Sequence, residues 1–122
     1  MSFRTTIFST LMLCFSAVVA MAETKLVMVE EDGCMWCARW NEEISATYPK
    51  TPEGRAAPLE RIDMRGPRPE DVTLARPLFF TPTFLLVVDG AEVSRIEGYP
   101  GEDFFWGLLN QMLNRAEIEL PG

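Results

Sequence analysis

At 122 residues, with 18 acidic against 11 basic side chains, the chain has a net charge of −7 and room for one modest hydrophobic core. That acidity argues against nucleic acid or an anionic membrane surface as a partner. The absence of any histidine removes His metal ligands and Cys-His or Ser-His catalytic pairs.

Arg4, the apolar run Ile7 to Val19 and the small-residue stretch Ala20-Met21-Ala22 have the layout of an export signal cleaved after Ala22. The run is shorter than the roughly 18 residues of a membrane span, and no basic stop-transfer cluster follows, which argues against a retained anchor. Leu13 precedes Cys14 where a lipoprotein site has a small residue, so Cys14 is expected to leave with the signal. Loss of 22 of the 122 residues leaves a single domain, 23–122, and loss of Arg4 takes the net charge to −8.

Lys25 to Glu30 holds four consecutive apolar residues, Leu26 to Val29, as in a strand buried on both faces. Glu30-Glu31-Asp32-Gly33 breaks it. From Cys34 the period becomes helical, with Cys37, Trp40, Ile44 and Tyr48 on one face, and Pro49 is expected to end the helix. Residues 50–58 read as a loop, and Leu59 to Met64 as a second strand. Gly66-Pro67-Arg68-Pro69 reads as a turn, and Glu70 to Ala75 as a short helix with acids at its start. Arg61, Arg65, Arg68 and Arg76 form a local basic group, either a solvated face or a docking surface. Phe84 to Val88 is a buried-strand run, Asp89-Gly90 a type I′ hairpin turn, and Ala91 to Ile96 its antiparallel partner. After a turn at Gly98 to Gly101, Glu102 and Asp103 open a last helix with an apolar stripe at Phe104, Phe105, Leu108, Leu109, Met112 and Leu113. Residues 116–122 read as a frayed tail. This order predicts an α/β domain, a mixed four-stranded sheet flanked by helices.

Cys34 and Cys37 lie where the first strand gives way to the first helix. As a structural staple the pair would close so short a loop that it would remove little entropy from the unfolded chain. Thiolates at this spacing also suit copper or zinc, yet only two protein ligands are evident and a closed zinc site needs four.

Three features resemble the thioredoxin superfamily: CxxC at a strand-to-helix junction, Thr81-Pro82-Thr83 leading into the hairpin, and Gly98 before the closing helix. The resemblance spans Lys25 to Arg115 and implies a thioredoxin-like fold, reduced in size. More narrowly, the export signal, the short length and the ending Gly-Tyr-Pro-Gly-Glu-Asp-Phe-Phe-Trp resemble periplasmic thioredoxin-like proteins of bacterial sulfur-oxidation systems. The family relation implies that Pro82 is a cis-proline beside the cysteines and that the Thr81 backbone pairs with a partner segment as an added strand.

For exchange, Cys34 at the helix start is the expected attacking thiolate and Cys37, one turn on, the buried resolving residue. No metal or organic cofactor is required. Gly33 replaces the usual tryptophan, Met35-Trp36 the common Gly-Pro, and Met28 the buried aspartate that manages the proton of the second cysteine; Glu30 is a candidate substitute. Met35 and Trp36 are expected on the docking surface, with core packing the alternative for Trp36; Trp40 is expected in the core, and Phe79 and Phe80 either line the same groove or, as adjacent aromatics usually do, split between core and surface. The acids before Cys34 disfavour its thiolate, which leans the protein towards a reductant. The reading is a periplasmic, monomeric thiol-disulfide oxidoreductase, a reductase of a partner protein's cysteine, such as a sulfur-oxidation carrier protein, supplied by a membrane dithiol donor. A disulfide oxidase or isomerase, a copper carrier using the CxxC pair and a redox-inactive interaction module are the alternatives.

Overall fold

The computed structural model describes Met1 and residues 13–17 and 22–122. The expected export segment lies largely outside the described residues; Cys14, which is among them, is exposed and free. Among the described residues no helix is long and apolar enough to cross a membrane.

Strand β1 (Thr24–Glu30) is central. It pairs parallel with β2 (Leu59–Asp63) and antiparallel with β3 (Thr83–Val88), and β4 (Ala91–Glu97) completes the order β2-β1-β3-β4. Neighbours on both sides and cover on both faces explain why Leu26 to Val29 is a continuous apolar run, all of it fully buried. Asp89 and Gly90 both take positive φ, 49° and 81°, as a two-residue turn between twisted antiparallel strands requires.

One face of the sheet carries Leu26, Met28, Phe84 and Leu86, packed against the helices. Helix α1 (Met35–Trp40) runs into a π turn at Asn41–Ser45 and then a 3₁₀ turn at Tyr48–Lys50. Burial nevertheless keeps the expected positions Cys37, Trp40, Ile44 and Tyr48. Pro49 does not terminate this run; it lies in the first turn of the 3₁₀ segment, where its missing N–H has no intrahelical partner to lose. Trp40 is the hub, with ring centroids 5.2 Å from Phe84, 5.8 Å from Phe105 and 6.2 Å from Tyr48.

Two segments depart from expectation. The 50–58 loop contains helix α2 (Pro52–Ala56), capped by the Thr51 hydroxyl, which accepts the Gly54 N–H at 3.0 Å. Residues 70–75 form no helix. The Thr73 N–H donates to the Gly90 carbonyl at 2.7 Å and its carbonyl accepts from Glu92 N–H at 2.9 Å, holding the segment extended. Val72, Leu74 and Leu78, with Ile62 and Met64, then cover the other sheet face over Val27, Val29, Leu85 and Val87.

On helix α3 (Glu102–Arg115) the buried residues are Phe105, Leu109, Met112 and Leu113, while Phe104 is 71% exposed and Leu108 sits at the surface. The buried stripe is narrower than expected on that side, and on the other flank Trp106 stacks on Tyr48 with ring centroids 6.0 Å apart. The tail is partly ordered. Glu117 adopts a left-handed φ of 57°, and Ile118 N–H returns to the Leu113 carbonyl at 2.9 Å, closing the helix end.

Candidate active site

A tight turn joins β1 to α1, closed by the Cys34 N–H donating to the Glu31 carbonyl at 3.3 Å. Gly33 there has φ of 80°, a left-handed conformation that a tryptophan would adopt only with strain, so this turn explains its glycine. Cys34 is the N-cap of α1. Its sulfur accepts the Cys37 N–H at 3.1 Å, one of the donors that a helix start leaves without a partner. Cys34 is half-buried and Cys37 is 3% exposed. A disulfide joins them, with Cα atoms 5.2 Å apart.

The Thr81–Pro82 peptide bond is cis. Pro82 is buried, and its carbonyl accepts the Gly98 N–H at 2.7 Å, which ties the turn after β4 to this segment. The Thr81 hydroxyl donates to Glu31 Oε1 at 3.0 Å, so Thr81 is brought against the turn that carries the cysteines.

Met35 and Trp36 project outward, 78% and 50% exposed, so Trp36 is not core. The Arg39 guanidinium lies 5.6 Å from the Trp36 ring centroid and pairs with Glu43, whose other oxygen accepts from the Tyr99 hydroxyl at 3.3 Å. Burial, with the Glu43 carboxylate beside it, pushes the Tyr99 phenol up to about 12. Phe79 and Phe80 do not split; both are exposed, beside the Thr81–Pro82 segment in sequence.

The four arginines are each engaged with their own partners. Arg61 bonds Glu30 and the Ser45 hydroxyl and lies over Trp40, Arg65 approaches Glu31 at 3.4 Å, Arg68 donates back to the Met64 and Gly66 carbonyls of the turn before it, and Arg76 pairs with Glu97. Glu30, on the same face of β1 as Met28, is thus engaged with Arg61, and no hydrogen bond joins it to either cysteine among the described residues. In the sequence Glu31 is marked only as one member of an acidic run. Its bond to Thr81 crosses 50 positions, and nothing local marks such a contact.

Among the described residues no three Cys, Asp or Glu side chains are grouped to hold a metal ion. A half-exposed sulfur served by a helix N–H, with a buried sulfur behind it, is an arrangement for thiol-disulfide exchange.

No protein-family model and no curated protein matches the chain. Among solved structures it is similar to the periplasmic thioredoxin SoxS from Paracoccus pantotrophus in its reduced form, at 53% identity and a TM-score of 0.75, over 77% of this chain and 99% of that one.

Proposed function

The chain belongs to the thioredoxin-like, Sox-type thiol-disulfide oxidoreductases, and from that premise we propose that it is exported, loses its signal after Ala22, and works in the periplasm as a monomeric reductase of a partner protein's cysteine. The observation that carries this reading is the asymmetry of the pair, with Cys34 half-buried and bonded by a helix N–H while Cys37 is buried behind it.

In the reduced protein the Cys34 thiolate attacks one sulfur of the partner's disulfide. The partner's S–S bond breaks, its leaving sulfur takes a proton, and a Cys34–partner mixed disulfide forms. Cys37 then loses its proton and attacks Cys34 Sγ, releasing the second partner thiol and leaving the Cys34–Cys37 disulfide. Two electrons pass to the partner; one of the two protons it gains is that of Cys37, and the other comes from solvent, which received the Cys34 proton when the thiolate formed. Return to the dithiol requires a donor, for which a membrane dithiol carrier is the fitting class. Glu30, two residues from Met28 on the α1 side of the sheet, is the carboxylate we assign to the Cys37 proton, a role that requires it to leave its ion pair with Arg61. Met35, Trp36 and the backbone of Thr81 beside Pro82 are assigned to the partner. A sulfur-oxidation carrier protein with a reactive cysteine suits this chemistry.

The direction of electron flow is supported by negative charge at the cysteine turn. Glu30 and Glu31 are offset by Arg61 and Arg65, which leaves Asp32 as the acid of that run with no ion pair among the described residues. A reduction potential well below the roughly −120 mV of strong periplasmic oxidants is expected; a value at that level overturns the reductase assignment.

The test of exchange is a Cys37→Ser variant expressed in the native cell. It should accumulate as a covalent adduct with its partner that dithiothreitol releases and that Cys34→Ser/Cys37→Ser lacks. If the variant is exported at normal levels and no adduct forms, the reading fails. The mass of the exported protein checks cleavage after Ala22.

A further inference from the structure

We infer that Glu31 is a positioning residue, one that fixes the attacking cysteine relative to the segment on which a partner's chain is received; this deepens the exchange reading above and rests on it. Glu31 makes three contacts with three separate parts of the chain. Its backbone carbonyl accepts the Cys34 N–H at 3.3 Å. Its Oε1 accepts the Thr81 hydroxyl at 3.0 Å, and its Oε2 lies 3.4 Å from Arg65 Nε, on the turn after β2.

The bonds around Thr81 are arranged in a telling way. The Phe80 carbonyl is taken by the Thr83 hydroxyl at 2.6 Å and the Pro82 carbonyl by Gly98 N–H at 2.7 Å, while Thr81 itself enters no backbone–backbone bond among the described residues. Its side chain is therefore the tether, and its backbone groups stay available for another chain. That tether ends on the residue whose own carbonyl closes the cysteine turn. A partner strand aligned on Thr81 is in this way registered against Cys34 by a single side chain. Exchange requires the sulfurs in line, and small misplacements of reacting atoms cost large factors in rate.

The rival role for Glu31 is purely electrostatic, a charge that disfavours the Cys34 thiolate. Glu31→Gln separates the two, because glutamine keeps an acceptor for Thr81 and loses the charge. The measurement is kcat/KM for reduction of insulin disulfides and of hydroxyethyl disulfide by the purified full chain, with the equilibrium potential of each variant. Glu31→Ala and Thr81→Val should each lower the ratio of insulin to hydroxyethyl disulfide kcat/KM about five- to tenfold, the scale of one lost hydrogen bond. The double variant should be no worse than either single one, because both remove the same contact. Glu31→Gln should stay within about twofold of the wild-type ratio. Reduction of hydroxyethyl disulfide doubles as a folding control in every variant.

Additive losses overturn the inference. So does a Glu31→Gln that matches Glu31→Ala, with both shifting the potential and both substrates alike; that result assigns the effect to charge. Wild-type protein that reduces neither disulfide overturns the exchange reading and takes the inference with it.

Discussion

Gly54 and Gly107 both lie inside helices, yet they should respond oppositely to an added methyl group. A Cβ at Gly54 would fall 1.8 Å from the Tyr48 carbonyl oxygen, which is backbone and cannot step aside. Gly54→Ala should destabilise the protein by about 2 kcal/mol or more. Gly107 faces solvent on α3 with nothing within 4 Å of its Cβ position. Here alanine removes only backbone freedom from the unfolded chain, and Gly107→Ala should stabilise by about 0.5–1 kcal/mol. Urea unfolding of the two variants decides it; equal shifts of the same sign would refute the packing argument. A glycine symbol in the sequence does not distinguish these cases. The same holds for the tryptophans, since Trp36 and Trp40 are four apart and only the burial around Trp40 makes one a core hub and the other a surface ring under Arg39.

Among elements, β4 carries a device that the strand pattern conceals. Its register shifts between Leu86 and Val87, so Glu92 pairs with Val87 and Arg95 with Leu85. Residues three apart normally face opposite sides of a sheet; the bulge at Val93 turns these two to the same side, into the core that Leu85 and Val87 share. There they form an ion pair with side chains 1% and 3% exposed. Arg95 also donates to the Pro77 and Arg76 carbonyls, and Glu92 accepts the Ala75 N–H at 3.0 Å, so the pair clamps the long segment that takes the place of the expected helix. Burial opposes ionisation of Glu92, but the Arg95 bonds and the Ala75 N–H outweigh it and hold its carboxyl below the ordinary range. A lowered folded value means stability that is complete above the unfolded value of about 4.3 and is lost as pH falls through the folded one. Glu92→Gln, which strands a buried guanidinium, should cost about 3 kcal/mol at neutral pH, and its deficit against wild type should close on acidification. Urea titrations at descending pH check this; a deficit that stays constant into strong acid would contradict the clamp.

At the scale of the whole molecule the sheet separates two cores of unequal cover, helices on the Trp40 side and an extended segment on the Val27 side. Native-state hydrogen exchange should therefore find the amides of β1 and β3 slowest, with Thr73 and its neighbours opening below the global free energy; Thr73 exchanging as slowly as Leu86 would refute this. The sequence by itself determined the sheet's central run, the hairpin turn, the buried periodicity of Cys37, Trp40, Ile44 and Tyr48, and the chemistry available to a histidine-free chain with a CxxC pair. Those are local quantities, fixed by period, turn residues and side-chain type within a few positions. Tertiary structure alone decided that Glu30 meets Arg61, that Glu31 meets Thr81, that Phe104 and Leu108 face outward, and that residues 70–75 form no helix but bridge at Thr73 to the start of β4. Each of these depends on a partner distant in sequence or on a one-residue slip in register, and neither leaves a trace in the neighbouring residues.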